Sequence, residues 1–440
     1  MRDHLDSMTW GTLSRQPGAS RSCRSISLYW RYLRAAPLLR SPVPGRMGAM
    51  SGVSDASVEE VVRRFGSAED VPYRWVRAPY RLSPLGAHTD HQDGLTSGFT
   101  IDRGITMTWR PTDAGEVRVA SKDYPGDACV SIARDNGPPA DDWTAYVQGV
   151  VGALARDHVI VRGIEGVVAG ELPPGGISSS AALQVAVLLA VAEANGLKIE
   201  TARAVELVRI AEQASTGVAV GVLDPTTILN GKEGALVMID CKDGAVRYHR
   251  VARRTPPFTW FLVDSGVPRQ LKETPYNDRV AECREAARRL GAEAEVPALA
   301  HIAPETYRRR RKELPPTLVR RAEHYFSEVK RVKLGSQALS SGDMVALGRL
   351  MWASADSLTQ NFECGTPETR ALLSELRSGE GVFGASYAGA GWGGMVQVLA
   401  EPTARGSVER CVAVYRDLHP VPGSSSTIYE VGMGPGAHIS

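Results

Sequence analysis

The 440-residue chain carries little excess charge, and this absence excludes one class of partner. Its 51 lysines and arginines nearly balance its 49 aspartates and glutamates, which leaves a formal net charge of +2. Proteins that bind the phosphate backbone of nucleic acids through bulk positive charge have a much larger basic excess. We therefore expect no nucleic acid partner.

Cysteine is also scarce and scattered. No Cys-x-x-Cys pair occurs and no cysteine clusters with histidines, so a zinc site or a disulfide framework is not expected. This usage favours a reducing compartment and predicts a cytoplasmic protein. The six cysteines are Cys23, Cys129, Cys241, Cys283, Cys364 and Cys411.

Long hydrophobic runs are missing as well. The longest strongly apolar run, Ala181–Ala192, has 11 apolar residues of 12 and is too short to span a bilayer. The sequence therefore predicts no membrane partner. With 43% hydrophobic and 23% charged residues the composition is that of a globular chain, and the length allows two to three domains of common size.

The first fifty residues differ in composition from the rest. They hold eight arginines and two acidic residues, a local net charge of +6, which leaves −4 on the other 390 residues. An arginine- and serine-rich, acid-poor segment is typical of an organelle transit peptide, which would change the expected location to an organelle. The alternative is an upstream start codon, with Met47 or Met50 as the true start. In either case we place the extension 1–50 outside the fold.

Helices and strands are mixed along the remaining chain. Apolar periodicity predicts helices near Val58–Phe65, Trp143–Arg156, Ser180–Ala194, Thr201–Ser215, Asn277–Leu290 and Leu318–Lys333. Aromatic and β-branched residues predict strands near Tyr73–Ala78, Ile105–Trp109, Val117–Ala120, Ile164–Ala169, Ala235–Asp240 and Trp260–Val263, and strand pieces within Val382–Ala400. Without regular βαβ alternation this order indicates an α+β fold. A composition shift at Thr255-Pro256-Pro257 predicts domains over 51–254 and 255–440.

The first segment with unusual chemistry is the turn-rich stretch Ala78–His91. It packs Arg81, His88, Asp90 and His91 into a short loop, and such groups can supply donors and acceptors for a polyhydroxylated ligand. A metal site formed by the two histidines and the aspartate is one alternative. A solvated surface loop is another.

The second such segment is Leu172–Leu183, where a glycine-containing loop enters a helix through three serines. Free backbone N–H groups and the positive end of the helix dipole make an anion site there, and serine hydroxyls can ligate Mg²⁺. The alternative is an ordinary serine-capped buried helix. No GxxxxGK[ST] sequence occurs, which excludes a Walker-type P-loop.

The third segment, Gly384–Gly394, has five glycines in eleven residues. Such backbone can approach a ligand or another strand closely. By itself this feature does not distinguish between these two uses.

Taken in this order, the three segments resemble the signature motifs of the GHMP small-molecule kinases, and within them the galactokinase branch. The first matches RxxxxGxHTD, the second resembles the phosphate-binding motif, and the third contains Gly389-Ala-Gly-Trp-Gly-Gly, which resembles the C-terminal glycine motif. Glu212 lies 32 residues after Ser180 and Asp224 lies 12 further on, where such kinases place a metal-binding Glu and a catalytic Asp. Tyr276-Asn-Asp-Arg279 resembles their sugar-contacting Tyr-Asn-x-Arg.

The resemblance implies a two-domain fold with the active site in the cleft between the domains, and phosphoryl transfer from ATP to a sugar hydroxyl. Asp224 would deprotonate or orient the anomeric hydroxyl, and Arg81 beside it would offset developing charge. Ser180 and Glu212 would hold Mg²⁺. The ATP phosphates would contact Gly175, Gly176, Ser178, Ser179, Ser180, Gly389 and Gly391. The substrate would contact Ala87, His88, Asp90, Tyr276 and Arg269.

One departure from the galactokinase pattern bears on the substrate. Galactokinases have Glu where this chain has Ala87, and that Glu accepts a hydrogen bond from the O6 hydroxyl of the sugar. A carboxylate there would repel a substrate whose C6 is itself a carboxylate, so its removal suits a uronic-acid kinase. The segments Met238–Lys242, Ala322–Ser327 and Asn361–Gly365 are further similarities to galacturonokinases. The resemblance thus implies phosphorylation of D-galacturonate at C1 to the α-1-phosphate.

Several expectations accompany this reading. Arg269 or Lys272 is the candidate partner of the substrate carboxylate. Pro225 follows Asp224 where the family has Gln, and because proline disfavours helical geometry in the preceding residue, we expect Asp224 in a loop. The alternatives are a galactokinase, another sugar 1-kinase, or a non-catalytic sugar sensor. Such sensors lack part of the Ser-Ala stretch that follows the glycine loop, whereas Ser180-Ala-Ala182 is complete here. We expect a monomer.

Overall fold

A computed structural model describes residues 54–68, 70–133, 136–268 and 273–440. The interpretation of the extension 1–50 lies outside these residues. Helices and sheets are mixed without regular βαβ alternation, so the predicted α+β class is confirmed. No helix in the described ranges is both long and apolar enough to cross a bilayer.

The strands follow the predicted positions and extend beyond several of them. They are β1 (Arg74–Leu82), β2 (Leu95–Thr112), β3 (Glu116–Ser121), β4 (Asp127–Ser131), β5 (Gly163–Gly170), β6 (Ala235–Asp240), β7 (Ala245–Arg250), β8 (Thr259–Asp264), β9 (Val382–Tyr387), β10 (Met395–Ala400), β11 (Ile428–Val431) and β12 (His438–Ile439).

The helices include all six of those predicted. They are α1 (Asp55–Phe65), α2 (Thr144–Asp157), α3 (Ser179–Ala194), α4 (Thr201–Thr216), α5 (Leu223–Asn230), α6 (Tyr276–Leu290), α7 (Pro304–Arg310), α8 (Pro316–Ser341), α9 (Met344–Gln360), α10 (Pro367–Arg377), α11 (Arg405–Leu418) and α12 (Pro420–Gly423).

The larger sheet is formed mainly by the N-terminal half of the chain. Its strand order is β12-β1-β2-β5-β3-β4, and β6 joins β2 to β7. Only β3 and β5 pair in parallel among these strands. Helix α3 packs on β1 and β2 with every residue from Ala181 to Ala192 buried, which explains the apolar run in the sequence and confirms the predicted buried helix.

The smaller sheet belongs to the C-terminal half. Its order is β11-β8-β10-β9, all antiparallel, and α9 packs on β9. The predicted boundary at residue 255 falls between β7 of the larger sheet and β8 of the smaller one. The chain end returns as β12 to pair with β1, where Val76 lies opposite Ile439. The two domain ranges themselves stay a prediction.

Helix α8 is longer than the predicted segment Leu318–Lys333. Pro316 suits the first helical turn, since its missing N–H would have no partner inside the helix there. Gly342 ends the helix in the left-handed conformation, with φ of 81°. Helix α8 lies against the connection between β1 and β2, where Gly335 packs on Leu85 and Glu328 accepts a hydrogen bond from Gly86 N.

A pair of glycines sets how closely α9 approaches β9. A Cβ atom on Gly384 would lie 2.2 Å from the carbonyl oxygen of Gly348, and one on Gly348 would lie 2.3 Å from the carbonyl carbon of Phe383. Both contacts are with backbone, which cannot move aside independently. The helix and the strand therefore touch only because both positions lack a side chain.

We predict that Gly384→Ala lowers the free energy of unfolding by about 2 kcal/mol, because the added methyl must push α9 away from β9. Urea unfolding followed by circular dichroism measures this. Gly406→Ala is the matched control, since Gly406 lies in the exposed part of α11 with only the Arg410 side chain within 4 Å of a new Cβ. Equal stability of the two variants would contradict the packing account.

Candidate active site

A cavity of about 820 Å³ lies where the three motif segments meet. The lining includes most of the predicted site residues, which are brought together from β1, the connection after it, the loop after β5, four helices (α3 to α6) and the loop after β9. Those in the lining are Arg81, Ala87, His88, Asp90, Gly175, Gly176, Ser178, Ser179, Ser180, Glu212, Asp224, Tyr276 and Gly389.

One predicted residue with a described position is not brought to the cavity. Gly391 does not line it: its carbonyl accepts a hydrogen bond from Gly365 N at 2.9 Å, and a Cβ on it would lie 3.1 Å from that of Cys364. The glycine at this position thus serves a close approach of two protein segments. Arg269, together with Lys272, lies outside the described residues, so neither candidate partner of a substrate carboxylate has a described position.

Arg81 and Asp224 form the charged pair at the centre of the site. Arg81 Nε donates to Asp224 Oδ1 at 2.8 Å and Nη2 lies 2.7 Å from the same oxygen, while Nη1 donates to the carbonyl of Gly176 at 2.9 Å. The Arg81 side chain is 5% exposed and that of Asp224 is 36% exposed. The guanidinium is therefore fixed by its partners, and the carboxylate presents its free edge to the cavity.

The expectation that Asp224 lies in a loop is wrong. Asp224 is in the first turn of α5, and Pro225 follows it within that turn. A proline costs little there because the first N–H groups of a helix have no partner within the helix. The proline therefore marks the start of a helix at Asp224.

Asp90 faces Asp224 across the site and is held by backbone. Its Oδ1 accepts from His91 N at 3.0 Å, and its Oδ2 accepts from Leu223 N at 3.3 Å. A Cβ on Gly221 would lie 2.1 Å from Oδ2, so the carboxylate fits only against glycine. Burial, with a smaller contribution from the negative charge of Asp224, raises the pKa of Asp90 to about 6.

His88 links the first motif to the third. Its Nε2 lies 3.0 Å from the carbonyl oxygen of Ala390, which can only accept, so Nε2 carries the proton. The imidazole stacks on Phe362 with ring centroids 4.3 Å apart, and Tyr276 lies 5.4 Å away. His88 has a φ of 61°, in the left-handed region that few residues other than glycine adopt.

The glycine-serine loop does not form the serine-capped helix start that was the alternative to an anion site. Ser178 precedes α3 in the left-handed conformation with φ of 62°, and its side chain makes no capping hydrogen bond. Its buried Oγ has no partner. The loop is closed from behind by the third motif, where Met395 N donates to the Gly175 carbonyl at 2.8 Å. The first turn of α3 thus has uncapped N–H groups at the cavity wall.

Ser180 and Glu212 lie together at the base of this loop. Ser180 Oγ donates to Glu212 Oε1 at 2.9 Å, and Gln184 donates to the other carboxylate oxygen. Glu212 is 8% exposed. The spacing of 32 residues between serine and glutamate therefore brings a hydroxyl and a carboxylate to one place. In the described part of the chain no group of three or more His, Cys, Asp or Glu side chains is arranged around a metal position.

Sequence reasoning missed some residues of the site. Phe362, under the His88 ring, belongs to a segment noted only for its similarity to relatives. Asn277 holds the loop that leads to Asp224, because its side chain accepts from Ala219 N at 2.9 Å and donates to the Gly217 carbonyl at 3.1 Å. The cavity also extends along Tyr124 and Trp143, which come from separate elements and form no local pattern.

Comparison with known proteins places this fold and cavity in a family. The models for the GHMP kinases N terminal domain and the GHMP kinases C terminal match residues 145–232 and 336–416. A galacturonokinase of Arabidopsis thaliana is 36% identical over 362 residues, 77% of this chain and 85% of the relative. A galactokinase of Thermotoga neapolitana is 32% identical over 344 residues, 78% of this chain and 94% of the relative.

A solved structure agrees with the sequence relatives. The galactokinase of Lactococcus lactis, complexed with galactose, superposes with a TM-score of 0.78 at 26% identity, covering 86% of this chain and 98% of that one. The chain therefore belongs to the GHMP kinases. Within that family it is a sugar 1-kinase of the galactokinase and galacturonokinase type, a transferase whose acceptor is a sugar hydroxyl.

The raised pKa of Asp90 predicts a pH dependence of stability. Because the folded state binds this proton more tightly than the unfolded state, the contribution to stability is complete at low pH and is lost as the pH rises through about 6. We expect the free energy of unfolding of the wild type, relative to Asp90→Asn, to fall by about 1 kcal/mol between about pH 5 and pH 7. Urea titrations across this range measure it. A difference that stays constant with pH would contradict the raised pKa.

Proposed function

We propose that the protein is an ATP-dependent galacturonate 1-kinase that forms α-D-galacturonate 1-phosphate and ADP. The observation that carries this proposal is that Ala87 lies in the cavity lining, next in the chain to the buried His88. Galactokinases, by the resemblance of the motif, have a glutamate at this position. The 36% identity with a galacturonokinase supports the same substrate.

Charge explains why this position selects the substrate. Asp90 and Asp224 already bring two carboxylates to this part of the cavity. A glutamate at position 87 would add a third, next to a C6 carboxylate that must lose part of its hydration on binding. Like charges in such a site disfavour binding by several kcal/mol, by an order-of-magnitude estimate. The methyl group of Ala87 removes that repulsion.

Asp224 is the residue that acts on the acceptor. Its free edge would accept the proton of the anomeric hydroxyl as that oxygen bonds to the γ-phosphorus and the bond to the ADP oxygen breaks. Arg81 holds the carboxylate from behind through two contacts on Oδ1, which keeps it oriented toward the cavity. The same arginine offsets negative charge that builds up near the reacting oxygens.

The glycine-serine loop is the proposed site of the ATP phosphates. Backbone N–H groups of Gly175–Ser180 and the start of α3 are the donors, and the unpartnered Ser178 Oγ can add a further hydrogen bond. Gly389, in the lining on the opposite side, lets backbone approach the nucleotide. Trp143 and Tyr124 line the same cavity as this loop.

A divalent cation fits beside this loop, and we propose Mg²⁺. The hydroxyl of Ser180 and the carboxylate of Glu212 are 2.9 Å apart in the lining, and such oxygen ligands, completed by phosphate oxygens, are the set that Mg²⁺ prefers. When bound, the cation neutralises charge on the phosphates.

The sugar hydroxyls are assigned to His88, Asp90 and Tyr276, with Arg269 or Lys272 for the C6 carboxylate. The first three line the same cavity as Asp224. We also propose a monomer. We place it in the cytoplasm, since the cysteines of the described residues are free thiols, as a reducing compartment keeps them.

Asp224→Asn tests the role of the acceptor-side carboxylate. We expect kcat to fall by about 10³-fold while calorimetry still detects binding of the sugar and of ATP, because the amide keeps the shape but cannot take a proton. Asp417→Asn is the matched control, since Asp417 lies exposed on α11, and it should keep the wild-type kcat. Undiminished turnover of Asp224→Asn would remove this residue from the mechanism.

Ala87→Glu tests the basis of substrate choice. We expect kcat/KM for galacturonate to fall by about 100-fold through repulsion of the two carboxylates, with no such loss for galactose. Coupled assays of ADP formation measure both values. Ala413→Glu, on the exposed side of α11, controls for the added charge. An equal loss of kcat/KM with both sugars would show that position 87 does not distinguish the substituents at C6.

A further inference from the structure

The segment that carries Ala87 is held by two side chains of α8, a helix from the other half of the chain. Glu328 Oε1 accepts from Gly86 N at 2.7 Å, and His324 Nε2 lies 3.0 Å from the carbonyl oxygen of Ala87. These two α8 residues are one turn apart on one face of the helix and are fully buried. The Leu85–Gly86 and Ala87–His88 peptide groups are thus tied to α8.

The hydrogen-bonding roles of His324 follow from its partners. The Ala87 carbonyl can only accept, so Nε2 must carry a proton. Burial lowers the pKa of His324, so the ring is neutral at pH 7 and its Nδ1 is an acceptor. Ser357 Oγ, 3.0 Å from Nδ1, therefore donates to it. The histidine has one tautomer and both ring nitrogens satisfied.

The hydrogen bonds continue from Ser357 to a buried charged group. Ser357 Oγ accepts from Asn361 Nδ2 at 3.1 Å, and the backbone carbonyl of Asn361 accepts from the guanidinium of Arg321. Arg321 is fully buried and pairs with Glu282 and Glu363. A continuous chain of hydrogen bonds thus joins this ion-pair group to the Ala87 carbonyl.

The backbone conformation of His88 indicates what this chain of hydrogen bonds does besides packing. The Ala87–His88 peptide precedes a residue held at a φ of 61°, which is a strained conformation for histidine. Rotation about the N–Cα bond of His88 would relieve the strain and would change the orientation of the Ala87 and His88 side chains relative to each other. The hydrogen bond from His324 opposes this rotation, because it fixes the carbonyl oxygen of that peptide.

We propose that His324 is a positioning residue of the sugar site, which fixes the Ala87–His88 peptide in its strained conformation through the chain Asn361–Ser357–His324. The proposal rests on the assignment of Ala87–Asp90 as the sugar-binding segment. It predicts an effect on the sugar and none on the nucleotide, because the glycine-serine loop makes no contact with this chain of hydrogen bonds.

Two amide substitutions separate the two ring nitrogens of His324. In His324→Asn the amide oxygen can replace Nδ1 as the acceptor for Ser357, but no donor reaches Ala87. In His324→Gln the longer side chain brings an N–H to the Nε2 position. We expect His324→Asn to raise the sugar KM about tenfold with the KM for ATP unchanged, and His324→Gln to restore most of the loss.

The controls cover misfolding and charge. Both variants remove the same ring from the same buried site, so comparable melting temperatures are expected and a purely structural role would affect both alike. His249→Asn is a control off the site, since His249 contacts Ser340 near the far end of α8, and it should keep the wild-type sugar KM. If His324→Asn does not fold, Ser357→Ala is measured instead, and a rise in sugar KM of the same direction is expected.

The assays use whichever of galacturonate and galactose the wild type phosphorylates better. A preference for galactose would overturn the proposed substrate and leave this test in place. A sugar KM that stays at the wild-type value in His324→Asn, or in Ser357→Ala where that variant is used, would overturn the positioning role. Equal losses in the Asn and Gln variants, or an equal rise in the KM for ATP, would also overturn it.

Discussion

The contact between Arg81 and Asp224 is the interaction on which the site depends. Arg81 lies near the end of β1 and holds α5 through the Asp224 carboxylate and the glycine-serine loop through the Gly176 carbonyl. Three segments distant in the chain are thereby fixed around one guanidinium. A buried arginine needs all these acceptors, because an unsatisfied charge at this depth would be strongly destabilising. The requirement of the arginine for partners thus also sets the geometry of the Asp224 carboxylate.

The C-terminal half adds contacts to the segment that carries Ala87 and His88. The Ala390 carbonyl accepts a hydrogen bond from His88, and Phe362 stacks on the imidazole. Side chains of α8 form hydrogen bonds with Gly86 N and with the Ala87 carbonyl. A residue as small as alanine cannot orient its own segment by side-chain contacts. Alanine at this position is consistent with a segment whose main chain is held by the His324 and Glu328 side chains.

The sequence was most informative where one motif contains both the chemistry and the local geometry. Arg81, Ser180, Glu212 and Asp224 were predicted from motif order and spacing, and the structure gathers them at one cavity. The prediction of Asp224 in a loop is wrong because proline disfavours helical geometry in the preceding residue but also fits a first helical turn, and the second effect applies here.

Residues that act across the two halves could not be found in this way. Phe362 and His324 lie far along the chain from Ala87 and His88, and their contacts depend on how α8 and the segment after α9 pack on the larger sheet. Such a contact between distant segments produces no local periodicity in the sequence. Gly391 shows the same limit, because a glycine needed for approach to a ligand and one needed for approach to Cys364 look alike in sequence.

The proposed function requires that this sugar kinase acts on a substrate with a carboxylate at C6. Its most direct test is the ratio of kcat/KM for D-galacturonate to that for D-galactose, measured on the wild-type enzyme with saturating ATP and Mg²⁺. We expect a ratio above about 100, since galactose leaves any cationic partner of the carboxylate unpaired. A ratio below one would contradict it and would make the protein a galactokinase.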